Sequence, residues 1–146
     1  MKSRTKLIAQ WTGVILAALV LSPLSGCQSY TTGLQKGRTV ADETAVVATL
    51  QTVARAQASY ALNSGGEYGT FPELTKQGHL DARFASEKPQ VRGYVLTMTT
   101  GNKEFRCNAD PANGESGKHF YFDSESRVIR VNPSRPATAS DPAHER

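Results

Sequence analysis

The sequence predicts an α+β fold in which one long helix packs on an antiparallel sheet of three or four strands. Between residues 39 and 64, apolar residues recur at three- and four-residue steps, which is the pattern of an amphipathic helix. Further along, short segments alternate apolar and polar residues and are separated by turn residues, as half-buried strands are. Because the long helix precedes all of these strands, the order of segments favours α+β over an alternating α/β fold.

An apolar run lies before this predicted domain. It follows three basic residues, Lys2, Arg4 and Lys6. The run is uninterrupted over residues 13–21, and Pro23 comes after it. A basic start, an apolar centre and a region of small residues are typical of a bacterial export signal. A membrane-spanning helix needs roughly 20 consecutive apolar residues, so this shorter run is predicted to be a removable signal, residues 1–26.

The segment Leu24-Ser25-Gly26-Cys27 closes the signal and resembles the lipobox of bacterial lipoproteins. The resemblance implies that the Cys27 thiol takes a diacylglycerol group and that cleavage before Cys27 makes it the first residue of the mature chain. Each acyl CH₂ buried in lipid contributes about 0.8 kcal/mol, and two or more chains give a stable anchor. The alternative is an ordinary secretory signal or a short inner-membrane anchor, with Cys27 incidental.

Removal of the signal changes the charge of the chain. The formal net charge falls from +4 to +1 when Lys2, Arg4 and Lys6 are lost. The basic balance therefore reflects export, and we expect no nucleic-acid binding. Residues 27–146 suffice for one small domain and not for two.

Two polar segments flank the predicted domain, which extends over residues 39–132. Residues 27–38 contain two glycines and few apolar side chains, so we expect a flexible spacer between the lipid and the fold. Residues 133–146 combine three prolines with small and charged residues. Such a segment has little apolar surface to offset its ordering entropy, so we expect a disordered tail.

The long helix is predicted to begin at Thr39, which has the spacing of a capping box with Asp42, and to end at Gly65-Gly66. Arg55 is predicted to face water. The residues predicted to face the sheet are Val46, Leu50, Val53, Ala54, Gln57 and Tyr60 or Ala61. Residues 72–77 predict a short second helix, which Gly78 ends.

The strands are predicted in "GYVLTMTTG", "EFRCNAD" and "HFYFDSESRVIRVN", with turns at Gly101-Asn102 and over residues 123–126. Cys107 alternates with its apolar neighbours, so we expect it to point inward as a small hydrophobe. The alternatives are a thiol that links the protein to a partner and, less favoured, a catalytic thiol. His119 is predicted to lie on the solvated face of its strand.

This order of segments resembles the globular heads of type IV pilins and of type II secretion major pseudopilins. The resemblance covers residues 41–132. It rests on three phrases, Gly93-Tyr94, Phe120-Tyr121-Phe122-Asp123 and Val128-Ile129-Arg130. A pilin carries a long apolar helix half before its head, whereas this chain has a lipobox signal and a polar segment there. The resemblance thus implies a pilin-like head without the transmembrane helix half, attached through lipid at Cys27 instead of polymerised through a helix.

No catalytic constellation is predicted, and we expect the protein not to be an enzyme. Nucleophilic catalysis needs Ser or Cys beside a base that a third group orients. The histidines of the exported chain that could supply this base are His79, His119 and His144. None of the serines lies in a nucleophile elbow.

One loop region is a candidate for calcium, which takes six to eight oxygen ligands. The candidate oxygen ligands are Asp110, Asn113, Glu115, Asp123 and Glu125. A solvated turn is the alternative that we favour, and no other cofactor is expected.

The sequence therefore predicts a membrane-anchored lipoprotein of the cell envelope with a structural or protein-interaction role, accessory to a secretion or pilus assembly. The alternative is an envelope lipoprotein that binds a small ligand or calcium. The expected partners are the membrane, through Cys27, and an unidentified protein that docks on a sheet edge or an exposed face. In a cell with two membranes, Gln28 favours the outer membrane, facing the periplasm, because it is not the aspartate that commonly retains lipoproteins at the inner membrane.

Overall fold

The computed structural model describes residues 27–112 and 116–145. The fold is α+β, as predicted, with one long helix and a five-stranded antiparallel sheet. Its elements are α1 Cys27–Asn63, α2 Phe71–Lys76, a 3₁₀ helix Ala82–Phe84, β1 Gln90–Val91, β2 Tyr94–Gly101, β3 Glu104–Pro111, β4 His119–Asp123 and β5 Arg130–Asn132. The strands lie in sequence order, β1-β2-β3-β4-β5. The sheet has five strands, whereas three or four were predicted. The prediction missed β1 because a two-residue strand is too short to show an alternation of apolar and polar residues.

The predicted signal peptide, residues 1–26, lies outside the described residues. Contacts divide the chain into the units Met1–Gly33 and Leu34–Arg146, and the whole sheet belongs to the second unit. Over the ranges that the structure describes, no helix combines the length and the apolar character needed to cross a membrane.

Helix α1 begins at Cys27, well before the predicted start at Thr39. Residues 28–38, for which we expected a flexible spacer, are therefore helical. The predicted capping box of Thr39 and Asp42 is also wrong, because both residues lie inside the helix. Extending an existing helix costs far less than nucleating a new one, so a polar segment can continue a helix that its own composition would not start.

The predicted buried stripe of α1 is largely confirmed. Four of its residues have no exposed surface, namely Val46, Leu50, Val53 and Gln57. The three apolar ones pack in one core with Leu96, Cys107 and Phe120 of the sheet. Ala54 is half-buried, and Ala56 is buried instead. The apolar periodicity of the helix thus correctly identified the face that packs on the sheet.

Gln57 is a buried amide within this otherwise apolar face. Its Nε2 donates to the carbonyl oxygen of Gly69 at 2.6 Å, and its Oε1 accepts from the Gly69 N–H at 3.0 Å. A Cβ on Gly69 would lie 3.0 Å from the Tyr60 ring, so a side chain there would require the ring to move. The reciprocal pair satisfies the buried amide and fixes the segment that follows α1.

Two tight hairpins set the register of the first three strands. Arg92 and Gly93 join β1 to β2 with φ of 51° and 77°, and Asn102 and Lys103 join β2 to β3 with φ of 51° and 59°. Positive φ at both central residues is the requirement of a type I′ turn, whose twist matches that of the strands. The resulting register places Met98 opposite Cys107 and Cys107 opposite Phe122.

The prediction of a disordered tail is wrong for residues 133–145, which lie against the sheet. Ala143 pairs with Arg130 in an antiparallel bridge. The Val131 N–H donates to the Pro142 carbonyl at 3.0 Å, and the His144 N–H donates to the Ile129 carbonyl at 2.7 Å. Because hydrogen bonds hold this segment, its low apolar content did not reveal that it would be ordered.

Candidate functional site

A cleft of about 700 Å³ opens between α1 and the end of the sheet where β3 begins and β4 ends. Its floor is aromatic and consists of Tyr68, Phe105 and Phe122. The Tyr68 and Phe105 rings meet edge to face with centroids 4.8 Å apart, and the Phe105 and Phe122 centroids are 5.8 Å apart. The floor is therefore a contiguous apolar surface held in place by contacts between its own rings.

One wall of the cleft is a face of α1 beside its buried stripe. Its residues are Val47, Gln51, Ala54, Arg55 and Ala58. They follow helical spacing, so they share one side of the helix. Ala54 and Ala58 leave room between the helix and the sheet end, and Arg55 stands exposed at the rim.

The opposite wall is the loop between β4 and β5, together with His144 of the tail. The loop contributes Ser124, Arg127, Val128 and Ile129. Asp123 anchors this loop, since its Oδ1 accepts from the Ser126 N–H at 2.6 Å, and Ser124 Oγ accepts from the Phe105 N–H at 3.1 Å. Burial raises the pKa of Asp123, but the hydrogen bonds from Ser126, Tyr121 and the Glu125 backbone together outweigh it and hold the pKa below its ordinary value.

Arg127 has a φ of 54°, in the left-handed region that favours glycine. The adjacent Val128 is 37% exposed although its side chain is apolar. The loop therefore presents a cation and an unburied apolar group side by side at the cleft.

The permanently charged side chains that line the cleft are all positive. Arg55 and Arg127 stand on opposite walls, and no carboxylate belongs to the lining. In the described part of the chain, Arg83, Lys118 and Arg135 each form an ion pair with a carboxylate, whereas neither Arg55 nor Arg127 does. The Arg55 and Arg127 guanidiniums are thus unpaired within that part of the chain. An apolar floor under two unpaired cations can bind a group that is both apolar and anionic.

Of the predicted calcium ligands, the two aspartates in the described part of the chain do not come together. Asp123 pairs with Arg106 across the sheet, and Asp110 lies four residues further along β3. At roughly 3.3 Å per residue, that separation is about 13 Å, whereas one calcium ion holds its ligands at about 2.4 Å. Asp110 Oδ1 lies 2.6 Å from His119 Nδ1 instead. Glu125 is exposed, and Asn113 and Glu115 fall outside the described residues. Among the residues that are described, no group of three or more His, Cys, Asp or Glu could hold a metal ion.

Cys107 has no exposed surface, so the prediction that it points inward is confirmed. Burial, with a contribution from the charge of Asp110, raises the pKa of its thiol to about 12. A linking role needs an accessible thiolate, so its surroundings argue against the alternative of a partner-linking thiol.

His119 was predicted to lie on a solvated face, but its side chain is only 19% exposed and lies against Asp110. Cys27, the predicted lipidation site, is the first residue of α1, and Leu24, Ser25 and Gly26 lie outside the described residues.

The cleft itself was not predicted from the sequence. Its walls come from α1, the β4–β5 loop and the tail, which are far apart along the chain. The one local signal is the pair Ala54 and Ala58, two small residues on the same helix face as Arg55. Comparisons of the chain with protein-family models, with curated proteins and with solved structures find no match.

Proposed function

We propose that the protein is a membrane-anchored lipoprotein of the cell envelope whose pilin-like head has a protein-interaction role, accessory to a secretion or pilus assembly. The lipobox resemblance at residues 24–27 supports the anchor, and the order of helix and strands supports the pilin-like head. The observation that carries the interaction role is the cleft, where two unpaired arginines flank an aromatic floor and the exposed Val128.

The cleft is a better docking site than the sheet edges. The tail already hydrogen-bonds to the outer edge of β5, so a partner strand could add there only by displacing it. The other edge strand, β1, is two residues long and offers few backbone groups. The cleft needs no such displacement, and aromatic residues and arginine are enriched in protein interfaces.

The alternative function is binding of a small ligand in the same cleft. The volume of about 700 Å³ favours this candidate, because pockets for small molecules usually enclose about 300–1,000 Å³. Calcium is not the ligand proposed, because Asp110 and Asp123 lie too far apart to share an ion.

Metabolic labelling with an alkyne fatty acid tests the anchor. The wild-type protein and the Cys107→Ala variant should both be labelled, and Cys27→Ser should not be. Cys107→Ala is the matched control because it removes the other cysteine of residues 27–146. Labelling that persists in Cys27→Ser would contradict lipidation at this residue.

Site-specific photo-crosslinking in intact cells tests the docking site. A photoreactive residue at Ala58 lies in the cleft, whereas one at the neighbouring exposed Ser59 points elsewhere on α1. We expect a discrete protein adduct from position 58 that is absent from position 59. The adduct should disappear with Arg127→Gly and persist with Arg92→Gly. Equal adducts from both positions would show that the cleft is not the docking site.

A further inference from the structure

We propose that the segment which docks in the cleft is an acidic, apolar stretch of peptide. A carboxylate of this peptide lies between the Arg55 and Arg127 guanidiniums, and its apolar side chains contact the aromatic floor. The proposal rests on the docking function proposed above and names the chemistry of the partner.

The arrangement of charge selects an anion. Arg55 lines the helix wall and Arg127 the loop wall, so the cleft presents a guanidinium from each side to an anion held in it. Guanidinium groups bind carboxylates with two parallel hydrogen bonds, which are stronger than neutral ones. A cationic ligand would meet only like charge at this rim.

The floor selects apolar side chains. Phe105 and Phe122 are only 5% and 7% exposed, so the apolar surface open to a ligand comes chiefly from the half-buried Tyr68 and from Val128, which is 37% exposed. Leucine-sized or aromatic side chains seated there would remove that surface from water. The two arginines and the aromatic floor together require a ligand that carries both an anionic group and apolar side chains.

The polar groups of the lining favour a peptide over an acyl chain. Gln51 lies on the helix wall, whereas Ser124 and His144 lie on the other wall. A hydrocarbon chain would cover these groups without offering them a hydrogen bond, which is costly. A peptide backbone carries a donor and an acceptor at nearly every residue and can satisfy them.

Arg127 provides a sharp test because its backbone is in a conformation that suits glycine better. Arg127→Gly removes the cation without demanding a new backbone shape. Arg92 is the matched control, since it is also an exposed arginine, has a φ of 51° and lies in the β1–β2 turn outside the cleft lining. The two variants therefore differ in the position of the lost charge and not in its kind.

The experiment uses the full chain in nanodiscs of zwitterionic phosphatidylcholine. The probe is a six-residue peptide of alternating Leu and Glu with a neutral fluorophore, and binding is followed by fluorescence anisotropy. Replacing Glu by Lys, or Leu by Ser, in the peptide should weaken binding at least tenfold. Arg127→Gly and Arg55→Gln should each weaken it about tenfold, the loss expected for a charge-assisted hydrogen bond. Arg92→Gly should change it less than twofold, and thermal melts should verify that each variant is folded.

Equal binding of the Glu and Lys peptides, or an equal effect of Arg92→Gly and Arg127→Gly, would overturn the proposal. Decanoate that binds the cleft when the peptide does not would also overturn it, in favour of an anionic amphiphile. If the peptide binds in the nanodiscs but cells show neither fatty-acid labelling of Cys27 nor crosslinks at position 58, the proposed function is contradicted and this inference is not. Crosslinks at position 58 without binding of the acidic peptide would contradict this inference alone.

Discussion

The two faces of the sheet are covered by different material. The face toward α1 carries Leu96, Cys107 and Phe120, all without exposed surface, and it packs on the apolar stripe of the helix. The opposite face carries polar residues such as Asn108, whose Nδ2 donates to the Ala137 carbonyl of the tail at 2.8 Å. One face is thus held by the burial of apolar surface and the other by directional hydrogen bonds.

Asp141 is the centre of the polar side. Its carboxylate accepts from Asn132 Nδ2 at 2.8 Å, from the Thr138 N–H at 2.8 Å and from the Arg135 guanidinium at 2.9 Å. Hydrogen bonds from Asn132, then from Thr138 and Arg135, hold the pKa of Asp141 well below its ordinary value, although burial opposes them. The difference between the faces predicts that a charge placed at the helix contact destabilises the fold, whereas removal of the Asp141 charge weakens the contact of the tail with the sheet.

Leu50→Asp should have the largest effect. Leu50 has no exposed surface and lies in the centre of the helix–sheet contact. An unpaired buried charge costs about 3–5 kcal/mol, a large part of the total stability of about 5–15 kcal/mol. Circular dichroism should show the variant unfolded, or melting far below the wild type. A melting temperature equal to that of the wild type would show that the face of α1 has been misassigned.

Gln57→Leu should have the next largest effect, although it makes the helix face more apolar. The change leaves the N–H and the C=O of Gly69 buried without their partner. Each unsatisfied group costs about 1–3 kcal/mol, partly offset by the added apolar burial, so we expect a loss of about 2–4 kcal/mol. Gln51→Leu is the control, because Gln51 is exposed at the cleft, six residues before Gln57 on the same helix. Equal urea unfolding curves for the two variants would contradict this role of Gln57.

The contrast between the faces explains how much could be predicted from the sequence. The apolar period of Val46, Leu50 and Val53 is local and correctly predicted the buried side of α1. The alternation in β2 and β3 likewise predicted their positions. The tail was misjudged because Asp141, Asn132 and Arg135 stabilise it as partners, and composition cannot show which polar groups will meet. The cleft was missed for a related reason, since its walls join only after the chain has folded.

Acid should release the tail before it unfolds the helix side of the sheet. The pKa of Asp141 is lower in the folded protein than its ordinary value of 3.8. The carboxylate therefore stabilises the docked tail above that value, and this contribution is lost as the pH falls below 3.8 toward the folded pKa. Hydrogen-exchange protection factors of the Val131 and His144 amides should fall over that range, while that of Leu96 changes less. Equal loss of protection at all three amides would mean that the two faces are not held separately.

Asp141→Asn should mimic the acid effect at pH 7. The neutral amide loses the ion pair with Arg135 and offers one oxygen where the carboxylate offers two. We expect reduced protection at Val131 and His144 and a weaker pH dependence below pH 4. Glu145→Gln is the control, because it neutralises an exposed carboxylate in the same tail. An unchanged exchange pattern in Asp141→Asn would show that the remaining backbone contacts hold the tail without the charge.

Arg55→Asp should have the smallest effect on stability. Its comparison with Leu50→Asp contrasts the same charge on the exposed and the buried side of α1. The change places an aspartate on α1 five residues after Leu50, but on a side chain that is exposed and has no ion-pair partner within the described ranges. Water solvates the new carboxylate, so the desolvation cost that unfolds Leu50→Asp does not arise. Surface substitutions of this kind usually change stability by less than about 0.5 kcal/mol. Urea denaturation of the two aspartate variants side by side measures the difference directly. A large loss in Arg55→Asp would mean that α1 is packed on the cleft side as well, and that the cleft is closed in solution.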